Sequence, residues 1–156
     1  MITLTIIEDE FHSRALLQEM IEQFFPNVHL LGTAASVVEG RELIRTKKPD
    51  LVLLDIYLSG GTGFQVLDAF HPMDFKVIFV TGYEKYALKA IKYAALDYLL
   101  KPVILEELQL AIDKVKGIPP TPKAHINFLK TQLEQASTFE QLVLTNYKTH
   151  QIVNVA

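Results

Sequence analysis

Three acidic side chains, a hydroxyl and an amine stand at the ends of four apolar runs. Ile6-Ile7 leads into Glu8-Asp9, Leu51-Val52-Leu53-Leu54 into Asp55, Val77-Ile78-Phe79-Val80 into Thr81, and Tyr98-Leu99-Leu100 into Lys101-Pro102. If each run is a strand of one parallel sheet, all of these groups share an edge. Three carboxylates gathered there repel one another, so at least one must hold its proton more tightly unless a cation intervenes. A divalent cation removes the conflict. Glu8, Asp9 and Asp55 are hard oxygen ligands, and the backbone carbonyl of Tyr57, two residues past Asp55, can add a fourth. An incomplete oxygen set completed by water suits Mg2+, which also favours phosphate oxygens. The chemistry is then phosphoryl transfer, with Asp55 as the nucleophile that forms an acyl phosphate. Such transfer depends mainly on positioning and charge neutralisation. Lys101 supplies a positive charge for the phosphoryl group, Thr81 a hydroxyl donor to one of its oxygens, and Gly82 a place with no side chain in the way.

These groups need elements to hold them. Short apolar runs alternate with amphipathic stretches, which predicts strands at about 3–7, 28–33, 51–55, 76–80 and 97–100. Helices are predicted between them, at about 12–25, 36–47, 63–70, 84–94 and 104–116. Leu17, Met20, Ile21, Phe24 and Phe25 make the apolar stripe of the first helix, and Leu105, Leu108, Ile112 and Val115 that of the last. Ser36 and Glu39 are spaced as a capping box. Pro26-Asn27 and Pro49-Asp50 break the chain before the second and third strands.

Alternating strands and helices predict a parallel sheet covered on both faces. Right-handed crossovers reduce the topologies to a few. The expected fold is α/β and flavodoxin-like, a doubly wound five-stranded parallel sheet in the order 2-1-3-4-5, with a short C-terminal extension. Its switch point lies between the first and third strands, where ligands bind outside the carboxyl ends. Glu8, Asp9 and Asp55 fall there.

The chain of 156 residues suffices for one solid core and a short extension. It is 49% hydrophobic and 21% charged, the balance of a globular chain. A net charge of −3 is too small to imply nucleic-acid binding by bulk charge. With no cysteine, disulfides and thiolate metal sites are excluded, which fits a reducing cytoplasm. No apolar stretch approaches membrane-spanning length. His12, His29, His71, His125 and His150 lack metal-ligand spacing. Gly60, Gly61 and Gly63 are not followed by the Gly-Lys-Ser/Thr of a P-loop and read as positive-φ turn residues.

Each motif has an ordinary reading by itself. An acid pair is usually a solvated turn, an aspartate after an apolar run a cap, and a lone threonine a local hydrogen bonder. Their joint occurrence at successive strand ends favours a site. The set Glu8-Asp9, Asp55, Thr81-Gly82 and Lys101-Pro102 resembles the receiver domain of two-component response regulators, over about residues 1–117. The resemblance implies phosphorylation of Asp55 by a sensor histidine kinase, a cis Lys101-Pro102 bond, and a cytoplasmic signalling protein that is not a true enzyme. It implies that Tyr98, three residues before the lysine, is an aromatic switch acting with Thr81. A face formed by the fourth helix, fifth strand and fifth helix would form a homodimer. Tyr57 and Tyr83 occupy positions that influence dephosphorylation in the family, and two bulky rings there imply a longer-lived phosphoryl group.

The segments Gly82–Ile91 and Ala94–Pro102 resemble receivers of the LytTR (LytR/AlgR) class, in which a β-rich DNA-binding domain follows. Residues 118–140 read as a linker that opens with Ile118-Pro119-Pro120-Thr121-Pro122, with a short helix expected at about 123–136. Residues 141–156 resemble the opening hairpin of such a domain, as if the chain were cut near its start. Contact with DNA would belong to that domain.

Other functions compete. An aspartyl-phosphate phosphohydrolase would share the nucleophile, but it usually needs a second aspartate where this chain has Tyr57. A flavin module would need a phosphate-cradling loop after the first strand, where this chain has acids. A receiver acting only through protein partners, without DNA, is the remaining alternative.

Overall fold

Apolar residues in unbroken runs become the middle of a sheet. The computed structural model describes residues 1–117. The expected linker, its helix and the hairpin at 141–156 lie outside the described residues. Among the described residues the main sheet has five strands: β1 (Ile2–Ile7), β2 (Val28–Ala34), β3 (Leu51–Leu54), β4 (Lys76–Thr81) and β5 (Asp97–Leu100). They form one flavodoxin-like sheet in the order β2-β1-β3-β4-β5. Every neighbouring pair is parallel. The central strand β3 is buried at all its positions, whereas edge strand β2 is mostly half-buried or exposed. A register shift between Leu4 and Thr5 interrupts the β1–β2 ladder.

The helices are α1 (Phe11–Phe24), α2 (Val37–Lys47), α3 (Gly63–Asp68), α4 (Ala87–Lys92) and α5 (Leu105–Val115). Val52, Leu54, Val77 and Phe79 pack with Val37 and Ile44 of α2, Phe64, Val66 and Leu67 of α3, and Ala90 of α4. The alternate strand positions face the other way. There Val80 shares a cleft with Leu17 of α1, and Ile2 shares one with Val115 of α5.

Several boundaries differ from the sequence reading for local reasons. The helix predicted at 84–94 is a 3-10 turn, Glu84–Tyr86, followed by the six-residue α4. It stops at Ala94, whose φ of 57° is left-handed. Phe24, expected in the apolar stripe of α1, is exposed, while Leu17 and Ile21 are buried. Ser36 accepts from the Glu39 amide, but the Glu39 carboxylate returns to the Ala35 amide, so the expected capping box does not close. A complete box lies elsewhere: Thr62 and Gln65 cap each other's amides at the start of α3. Its T-x-x-Q spacing was present in the sequence. The preceding loop holds a two-residue antiparallel ladder, Tyr57–Leu58 with Gly61–Thr62, too short to be predicted. The His71-Pro72 and Lys101-Pro102 bonds are cis.

Candidate functional site

Backbone pairing carries each strand one residue further and places the polar groups. The Glu8 amide donates to the Ala34 carbonyl at 2.9 Å, and the Asp55 amide to the Ile7 carbonyl at 3.0 Å. The Lys101 amide donates to the Thr81 carbonyl at 2.9 Å. Glu8, Asp55, Thr81 and Lys101 therefore project from adjacent strand ends. One carboxylate oxygen each from Glu8, Asp9 and Asp55 lies within 4.8 Å of the others. Glu8 is 1% exposed and Asp55 8%, whereas Asp9 is exposed. The Lys101 ammonium bonds Asp55 Oδ2 at 2.8 Å and also bonds Glu8 Oε1.

Burial sets the charge state of this cluster. The Glu8 carboxyl is pushed up to about 8, first by burial and then by the Asp55 carboxyl, against the pull of Lys101. Repulsion among the acids was expected to raise a pKa; desolvation is the larger cause. Burial also works against the Asp55 charge, but Glu8, the Lys101 ammonium and the Thr81 hydroxyl outweigh it, and its pKa is lowered. Lys101 is held above its ordinary value, because the two carboxylates outweigh its own desolvation. The buried Glu8 Oε2 has no hydrogen-bond partner among the described residues. An all-oxygen donor set, crowded enough to keep one proton and with one orphaned oxygen, fits a hard divalent cation.

The geometry can be set beside known proteins. A family model, the response regulator receiver domain, matches residues 4–113. The chain belongs to this family. A response regulatory protein of Vibrio cholerae is 35% identical to the receiver over 116 residues, 74% of this chain and 48% of the relative. The sensory transduction protein LytT of Bacillus anthracis is 34% identical over 118 residues, again 74% of this chain and 48% of the relative. The chain spans about half the length of these curated relatives. A crystal structure of a LuxR-family DNA-binding response regulator from Staphylococcus aureus superposes with a TM-score of 0.64. It is 30% identical and covers 74% of this chain and 98% of that one. Residues 4–113 are thus a response regulator receiver domain. No helix among the described residues is long and apolar enough to cross a membrane.

Around the receiver's acid cluster, the structure adds residues that the sequence did not single out. Arg14 donates to the Glu8 carbonyl at 2.7 Å and to the Asp9 carbonyl at 3.4 Å, tying the β1–α1 loop to the first turn of α1. Glu10 caps α1 by accepting from the His12 and Ser13 amides. Gly63 does not supply a positive φ; a Cβ there would lie 2.2 Å from the Asp55 carbonyl oxygen. Its amide bonds the Ile56 carbonyl at 2.7 Å. Gly82 faces open space. Thr81 is buried, and its hydroxyl accepts from the Tyr83 amide at 3.4 Å. Tyr98 lies half-buried on Phe79, with centroids 6.1 Å apart, and its hydroxyl donates to the Tyr83 carbonyl. The Tyr57 ring meets those of Tyr83 and Tyr86.

Proposed function

We propose that this receiver accepts a phosphoryl group on Asp55 from a phosphohistidine of a sensor histidine kinase. One observation carries the reading: the convergence of Glu8, Asp9 and Asp55, with the Lys101 ammonium on the two buried acids. Glu8, Asp9 and Asp55, with the Tyr57 carbonyl, would hold Mg2+. The ion, when bound, neutralises charge on the carboxylates and the phosphoryl oxygens. Asp55, whose carboxylate Oδ2 accepts from the Lys101 ammonium at 2.8 Å, is the nucleophile. One of its oxygens forms a bond to phosphorus as the phosphorus–nitrogen bond to the donor imidazole breaks. Lys101 neutralises an oxygen of the transferred group, Thr81 donates its hydroxyl to another, and Gly82 leaves the approach open. The Tyr57 and Tyr83 rings slow the attack of water that reverses the modification. This is self-modification, without the turnover of an enzyme.

The output is a change of partner. Thr81 and Tyr98 rearrange together, and the face of α4, β5 and α5 pairs two copies. The relatives named LytT, and the resemblance of residues 141–156 to the opening of a LytTR domain, support a DNA-binding output for a cytoplasmic transcription regulator. Incubation with Mg2+ and acetyl phosphate is the test. Intact mass should rise by one phosphoryl group in the wild type and not in Asp55→Asn. An unmodified wild type, or a modified Asp55→Asn, would sink the proposal.

A further inference from the structure

Large exposed side chains normally turn freely, yet two of them here, Tyr57 and Tyr83, are tied to a half-buried third, Tyr86. Tyr57 follows Asp55 by two residues, and Tyr83 follows Thr81 by two, on loops that leave neighbouring strands. Their rings meet edge to face, with centroids 4.7 Å apart. Tyr86, within the segment Gly82–Ile91 but given no role at the site by the sequence, completes the group at 5.7 Å from Tyr57 and 6.3 Å from Tyr83. The Tyr57 and Tyr86 hydroxyls are hydrogen-bonded to each other. Tyr86 is itself braced from below and from the side. Its ring lies 6.2 Å from that of Phe64, which is buried, and the Lys85 ammonium sits 5.2 Å over its face. Tyr83 is fixed through its backbone, donating to Thr81 and accepting from Tyr98.

We infer that Tyr86 is a positioning residue for the phosphorylation site: its hydroxyl holds Tyr57 against Tyr83, and this three-tyrosine clasp closes the gap between the loops after β3 and β4. The inference rests on Asp55 being the phosphorylated residue. An edge-to-face ring pair at the surface exchanges with open rotamers unless something pins it. The Tyr57–Tyr86 hydroxyl pair is that pin. It also ties the phosphoacceptor loop to the first turn of the helical segment that carries α4. Loss of the pin frees Tyr57 to swing outward, admits water to the acyl phosphate, and loosens the segment that Thr81 and Tyr98 hold.

The test uses the full chain as wild type, Tyr57→Phe, Tyr86→Phe and the double variant, each of which keeps its rings. The protein is labelled with acetyl phosphate and Mg2+, the donor is removed, and phosphoryl loss is followed by intact mass. Each single variant should lose the group roughly threefold to tenfold faster, the kinetic equivalent of one neutral hydrogen bond. The double variant should be no faster than either single one, because both remove the same contact. Amide hydrogen exchange over residues 82–88 of the unphosphorylated protein should rise equally in both single variants, with the sheet unchanged. Unaltered lifetimes, or effects that multiply in the double variant, overturn the clasp. If the wild type takes up no phosphoryl group, the phosphorylation reading falls by itself, and unchanged exchange over 82–88 still overturns the clasp.

Discussion

Glu8 pays for its position at the sheet edge in every solution without a cation. Its folded-state pKa, about 8 against an ordinary 4.5, means that the folded protein prefers the protonated acid. The stability this contributes is fully present below about pH 4.5 and is lost as pH rises through about 8. Asp55 is shifted downward, so its contribution is lost only as pH falls below its ordinary value of 3.8. Lys101 is shifted upward from 10.5, so its contribution fades only above that. Of these three groups, Glu8 alone sets the slope between pH 5 and 8. Metal-free protein should therefore lose stability over that interval, with a slope approaching about 1.4 kcal/mol per pH unit for one proton. Thermal melts at several pH values check this. Saturating Mg2+ should stabilise the protein more at pH 8 than at pH 5.5, because at low pH the ion competes with a proton on Glu8. Glu8→Gln should flatten the metal-free slope, since the amide cannot ionise. An equal slope in that variant would assign the titration to other groups.

Strand ends position the site, and that is why most of it was legible. An apolar run stops where the sheet stops, so the next residue is polar, and parallel pairing places all such residues on one edge. Asp55, predicted as the last residue of its strand, lies just beyond β3, a one-residue difference without consequence for the edge. The sequence could not reveal how α3 approaches that edge, because the contact joins Gly63 to the Asp55 backbone through space. Nor could it reveal the tyrosine clasp, which joins two loops of different strands, or the role of Arg14, which acts on carbonyls carried by any sequence. The break of the helical stretch 84–94 was hidden because Tyr86, Ala90 and Tyr93 keep helical spacing through the 3-10 turn. Gly63 packs directly on the Asp55 backbone. A Cβ 2.2 Å from the Asp55 carbonyl oxygen forces backbone to move, since neither atom belongs to a flexible side chain. Gly63→Ala should cost about 1–3 kcal/mol, the usual penalty of overpacking, measured by urea unfolding. It should also weaken Mg2+ binding, because the displaced backbone carries Asp55. Gly82→Ala, where a Cβ meets nothing, should leave unfolding unchanged.

For the whole molecule, the question is how a change at one carboxylate reaches a partner. Helix α4 is six residues long, follows a 3-10 turn and buries Ala90 alone of its residues. Such an element has little packing to hold it in one place, so a small bias can shift it between arrangements. Its start adjoins Tyr86 of the clasp, and the loop before it is held by Thr81 and Tyr98. The same helix exposes Leu88 at 77% and Ile91 at 70%, one turn apart on one face. Neighbouring apolar side chains that exposed are better explained by a partner than by solvent. Lys85, Lys89 and Lys92 flank them, while Glu106 and Glu107 open α5. A second copy could therefore meet basic α4 with acidic α5 around an apolar centre. Phosphorylated protein should then dimerise, and unphosphorylated protein should dimerise more weakly, as read by sedimentation velocity with and without acetyl phosphate. Leu88→Ser and Ile91→Ser should each weaken the phosphorylated dimer about tenfold, near 1.4 kcal/mol, because each removes a large apolar contact from its centre. Neither should alter phosphoryl uptake, since both side chains are exposed and neither belongs to the acid cluster. Raising salt from 0.05 to 0.5 M should weaken the wild-type dimer in the same direction by screening the lysine–carboxylate attraction. A dimer indifferent to both substitutions would move the interface to another face of the receiver.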